Sequence, residues 1–127
     1  MREKLRSHFD LRVYQAAAVL RKQVFVLSLR FPEGERFDLT QQIRRSSRSL
    51  CSSIAEAWRK RRYKPYWISK LSDAGQEAAE TQVWIETALE CGYITTDEAN
   101  PLIQGCEAVL GQLTLMAIHA DKWMIRD

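Results

Sequence analysis

A chain of 127 residues with 46% hydrophobic and 28% charged side chains has the size and composition of one folded domain able to bury a real core. Five Gly and three Pro speak against a turn-rich strand architecture, and abundant Ala, Leu, Gln, Glu and Arg favour helices. Net charge is only +3, but eight Lys or Arg and the single acid Glu56 fall between Arg44 and Lys64, so that stretch alone carries +7; a concentrated patch sets a local field that an average does not.

Residues 1–7 form a polar lead-in. The first helix is expected from about Asp10 to Arg30, with Val13, Ala17, Leu20, Val24, Leu27 and Phe31 as its core stripe. A second stripe, Leu11, Ala18, Phe25 and Leu29, sits on another side. A helix of an isolated bundle needs one apolar face, so this stripe reads as an interface with another subunit; a helix end covered by the lead-in is the other reading.

Pro32 and Gly34 stop the first helix, and Asp38 is a suitable N-cap for the second. That helix runs to about Arg62–Lys64. Leu39, Ile43, Ser47, Leu50, Ile54 and Trp58 make its buried stripe. Arg44, Arg48, Arg59 and Arg62 gather on a separate side, within roughly 60° of one another. Pro65 opens the third helix, which runs to about Cys91 with Gly92 as its C′ residue. Trp67, Leu71, Ala74, Ala78, Thr81, Ile85 and Ala88 are its core positions, flanked by Asp73, Glu77, Glu80 and Trp84.

The short connection makes the second and third helices antiparallel neighbours. Residues whose numbers sum to about 127 then lie level, which brings Glu80 beside Ser47 and within reach of Arg44 or Arg48. Thr95 and Glu98 form a capping box for the fourth helix, whose stripe is Leu102, Cys106, Val109, Leu113, Ala117 and Ala120. Trp123, Met124 and Ile125 are apolar residues near an end of the chain, which expects them to dock.

The three cysteines, Cys51, Cys91 and Cys106, form no CxxC pair. Their odd number and the charged start MREKLRSHFD point to a reducing cytoplasm and to thiols that serve as small buried residues. No apolar run approaches the ~20 residues that cross a bilayer, so no membrane association is expected. His8 and His119 sit far apart in sequence, without metal-ligand spacing. There is no Gly-rich phosphate loop, no Gly-x-Ser-x-Gly elbow and no Glu-x-x-His pair. No catalytic residue, metal or cofactor is expected, and Glu56 reads as a local partner of Arg59 or Lys60.

The run Trp58-Arg-Lys-Arg-Arg-Tyr-Lys-Pro-Tyr-Trp67 mixes cations and aromatics at the joint of two helices. Such a mixture suits nucleic acid, because Lys and Arg neutralise phosphates while Tyr and Trp stack on unpaired bases. A solvated helix end with both tryptophans in the core fits the same residues.

Several pieces together carry a family resemblance: Phe9-Asp-Leu-x-Val-Tyr-Gln-Ala, Phe31-Pro-x-x-Glu35, Leu39-Thr-x-Gln-Ile-Arg-Arg-Ser-Ser, Ser53-Ile-Ala-Glu-Ala-Trp-Arg-Lys-Arg-Arg-Tyr63, Lys70-Leu-Ser-Asp-Ala, Glu77-Ala-Ala-Glu-Thr-Gln-Val-Trp84 and Cys91-Gly-Tyr-Ile94. The chain resembles the four-helix bundle proteins encoded in intervening sequences of bacterial large-subunit ribosomal RNA genes, a family similar to the accessory proteins of diversity-generating retroelements. Ser53 stands where the family often has Asn, and Ala57 where it often has Gly. The resemblance implies no enzymatic activity and a homopentameric ring. The retroelement relatives are basic and act with nucleic acid and a reverse transcriptase.

The expected fold is all-α, a single antiparallel up-and-down four-helix bundle that self-associates, with Leu11, Ala18, Phe25 and Leu29 at the subunit interface. The first functional expectation is a non-catalytic nucleic-acid-binding or ribonucleoprotein accessory protein, contacting RNA or DNA through Arg44, Arg45, Arg48, Arg59, Lys60, Arg61, Arg62 and Lys64. The second is a protein-binding scaffold whose arginines make salt bridges within or between subunits. An enzyme comes third.

Overall fold

Every segment with a 3.6-residue apolar stripe becomes a helix. The computed structural model describes residues 4–125. In it α1 spans Arg12–Ser28, α2 Leu39–Arg59, α3 Lys64–Glu90 and α4 Thr96–Ile118. Single 3-10 turns at His8–Asp10, Glu33–Glu35 and Ala120–Lys122 complete the described residues, which contain no strand. Each helix packs on the two adjacent to it around a square, α1 on α2 and α4, α3 on α2 and α4. The fold is an all-α antiparallel bundle.

The core follows the stripes closely. All seven expected positions of α3 are buried, and so are all six of α2. α2 also buries Thr40, Ser46, Cys51 and Ala57, so its buried face is wider than the stripe alone. In α1, Leu27 is only half-buried and Ser28 takes the inner position; in α4, Met116 is buried where Ala117 was expected. The α2–α3 register is marked by the buried pair Ser46 Oγ and Thr81 Oγ1 at 2.8 Å, residues whose numbers sum to 127 as expected.

Local signals act where they were expected, with one exception. Thr95 and Glu98 form the complete capping box. Gly92 adopts φ +78°. There Tyr93 N–H donates to Ala88 O and Gly92 N–H to Leu89 O, which satisfies carbonyls of the last helical turn. Pro65 sits in the first turn of α3. Asp38 is the exception: its side chain makes no capping bond, and Glu35 Oε1 accepts the Leu39 N–H at 3.3 Å instead.

The loops at this end are tied down by charge. Arg30 Nη1 lies 2.7 Å from Glu98 Oε2, and Tyr93 donates its hydroxyl to Glu35 at 2.8 Å. Arg30, with help from the Thr95 N–H, holds the Glu98 carboxyl down at about 2. The Glu35 carboxylate pushes the Tyr93 phenol up to about 12. A depressed carboxyl stabilises the fold above its unfolded value of ~4.3 and loses that contribution as pH falls through its folded value. Glu98→Gln keeps a side-chain acceptor for the capping box but not the charge. Its melting temperature should lie below wild type at neutral pH and converge with it between pH ~4 and ~2, followed by circular dichroism. A gap that persists unchanged at the acid end would mean the charge is not the source.

Candidate nucleic-acid interface

The eight basic candidates all lie on α2 or just beyond it, and successive helix positions turn by 100°. That turn splits them into two flanks and a ridge. The α1 flank holds Arg44, whose Nε donates to Ser28 Oγ at 2.8 Å and whose guanidinium lies 4.7 Å from the centre of the Phe25 ring. The α3 flank holds Arg45, which pairs with Glu80 and, at 3.4 Å, with Glu77. The Glu80 hydrogen bond is the main reason the Arg45 proton is held more tightly than usual. Burial pushes the Glu77 carboxyl up, and Arg45 opposes this only in part.

The expected partner of Glu80, Arg44 or Arg48, is therefore corrected to Arg45. Register along the axis is right, but Arg44 points across to α1, Arg48 sits on the outer ridge, and only Arg45 turns toward α3. Glu56 is corrected in the same way. It pairs with Lys70 of α3 at 2.7 Å rather than with Arg59 or Lys60, and Lys70 also reaches Asp73 at 3.4 Å. A double-mutant cycle on Arg45 and Glu80 should show coupling of roughly 0.5–1 kcal/mol, and the cycle on Arg48 and Glu80 none; coupling in the second cycle would contradict this placement.

The ridge between the flanks carries Arg48 and Arg59. Eleven residues apart, they differ by only about 20° around the axis and lie about 16 Å apart along it. Both are exposed, and neither has an ion-pair partner among the described residues.

The ridge leads into the α2–α3 joint. Lys60 Nζ stands 5.4 Å from the centre of the Tyr66 ring, and exposed Tyr63 and Tyr66 meet edge to face at 6.1 Å. Trp58 and Trp67 are buried, so the two tyrosines are the aromatics of this run open to a base. Arg62 is exposed. Arg61 turns inward, its guanidinium 3.6 Å from the centre of the Trp58 ring. Lys64 pairs with Asp121 at 2.9 Å, an acid brought to the joint from beyond the end of α4.

The expected subunit stripe is also divided. Leu11 is 2% exposed and belongs to the core of its own chain; the half-buried Leu5 of the lead-in packs on that core. Leu11 is therefore removed from the interface. Ala18 is half-buried, Phe25 lies beneath Arg44, and Leu29 is 63% exposed. The sequence reading missed exposed Val19 and Val26 of α1 and Leu115 and Ile118 of α4. Their signal was available as apolar residues just outside the core stripes.

α4 is long and apolar enough to cross a membrane by length and composition, with mean hydropathy 1.3 over a window that is 28% buried. No uninterrupted apolar run produces this value; the helix has few charges and an apolar outer face. Trp123 docks on its own bundle, stacked on Trp67 at 5.6 Å. Cys51 and Cys106 are buried, and burial pushes both thiols up, Cys106 to about 12. Cys91 is exposed, against expectation, because it follows the last turn of α3.

Comparisons with known proteins agree with this architecture. Residues 9–114 match the family described as 23S rRNA-intervening sequence protein. A crystal structure of a protein with unknown function from the S23 ribosomal protein family, from Bacteroides thetaiotaomicron VPI-5482, superposes with a TM-score of 0.76. It is 24% identical, and the match covers 83% of this chain and 97% of that one; at that identity the likeness concerns the fold. No curated protein matches at a significant level.

Proposed function

Because this chain belongs to the 23S rRNA-intervening sequence protein family, we propose that it is a non-catalytic, self-associating accessory protein that binds nucleic acid along the outer ridge of α2 and the α2–α3 joint. The observation that carries this reading is the ridge itself. Arg48 and Arg59 stand exposed on one line with no ion-pair partner among the described residues, and that line runs into Lys60, Tyr63 and Tyr66. Cations at that spacing suit a phosphate backbone, and the tyrosines offer faces for unpaired bases. Copies of the patch around an oligomer would strengthen weak contacts through avidity. A five-membered ring is the assembly the family resemblance implies, and a reverse transcriptase is the protein partner that resemblance makes worth testing.

The test is a salt series. Binding of a labelled single-stranded RNA is followed by fluorescence anisotropy for wild type and for the triple variant Arg48→Gln, Arg59→Gln, Lys60→Gln. All three positions are exposed, so the fold should persist. Losing three phosphate contacts should flatten the slope of log affinity against log salt by about 2. Absence of wild-type binding at low salt would overturn the proposal.

A second reading has its own support. Arg45, Lys64 and Lys70 are taken up by acids within the chain, which is how a scaffold uses its cations. Wild-type failure in the salt series would leave that reading ahead.

A further inference from the structure

We propose that the cleft formed by the residues before α1, the end of α2 and the end of α4 binds a small amphiphilic anion, an alkyl or aryl carboxylate. The cleft has a volume of about 740 Å³, within the range of small-molecule sites. Its walls are apolar: Trp58, Met116, Trp123 and Met124 form the inner surface, with Leu115 among the lining residues. Its charged residues are nearly all of one sign. Arg12, Arg61 and Lys122 line it, and the acid that joins them, Asp10, is already engaged by Arg6, at 2.8 Å from the backbone N–H and 3.8 Å from Nε.

Arg61 is the centre of the argument. It is half-buried against Trp58, and its Nη1 reaches the Trp58 carbonyl at 3.4 Å. No carboxylate among the described residues pairs with it. Burial alone lowers its proton affinity. A planar guanidinium with free donors beside an apolar wall is matched by a carboxylate that carries a hydrocarbon body. Gln112 is the one side-chain amide in the lining, which leaves little to read the edge of a nucleobase. The site thus differs in chemistry from the exposed ridge proposed for nucleic acid.

Two of the three methionines, Met116 and Met124, line the cleft, and the third is Met1. Methyl-labelled methionine NMR on the full chain therefore reads the site directly, with decanoate as the probe and decyltrimethylammonium as the cationic control. Decanoate should shift both methyl signals saturably in the millimolar range or below, and the cation should not. Arg61→Gln should weaken decanoate about tenfold, as expected for losing one charge-assisted pair. Because Arg61 also packs on Trp58, Lys122→Gln and Arg12→Gln, both at exposed positions that line the cleft, provide variants with intact cores. Each should weaken binding severalfold. Absence of saturable shifts, equal binding of the cation, unchanged affinity in the three variants, or displacement of decanoate by a short oligouridylate would each overturn the proposal.

Discussion

Replacing Trp67 with alanine is expected to destabilise the fold by about 3–5 kcal/mol, the range for removing a large aromatic from a packed interior. Trp67 is fully buried at the start of α3. Its indole N–H donates to Met116 O at 3.2 Å, and Met116 lies in the last turn of α4, where carbonyls lack helical partners. Its ring also stacks on Trp123. One side chain therefore joins α3, the end of α4 and the segment beyond it. Trp67→Phe keeps most of the volume and loses the hydrogen bond, so it should cost roughly 1–3 kcal/mol through the missing bond and imperfect packing. Urea unfolding followed by circular dichroism measures both. A loss below about 1 kcal/mol for the alanine variant would mean that the neighbouring cleft collapses to fill the space.

Charge on the outer faces of α1 and α4 should abolish the proposed self-association and give monomers. Val26 is 53% exposed and Ile118 is 68% exposed, so a glutamate at either position leaves the bundle core untouched. In an apolar subunit contact the same carboxylate would have to be desolvated without a partner, which costs several kcal/mol. Phe25→Glu is the weaker test, because Arg44 lies over the Phe25 ring and would pair with the new carboxylate. Light scattering on a sizing column should report a monomer for Val26→Glu with Ile118→Glu, with helical circular dichroism preserved. An unchanged oligomer would move the interface to other surfaces, and a monomeric wild type would remove it.

Sequence alone determined the four helices, their order and most of the core. Period-3.6 stripes, the Thr95–Glu98 box, Gly92 and Pro65 are local signals, and local physics is enough to place them. Register was legible too: the short joint between α2 and α3 forces the level pairing that Ser46 and Thr81 display. Tertiary structure decided which way each basic side chain turns. Arg44 and Arg45 are neighbours in sequence, yet the 100° step sends one to α1 and the other to α3. Arg61 and Arg62 likewise separate, Arg61 onto the buried Trp58. Leu11 looked like a surface stripe because its cover comes from chain outside its own helix. A helix's periodicity shows which of its residues share a face, but contacts such as these depend on what packs against that face from elsewhere in the chain.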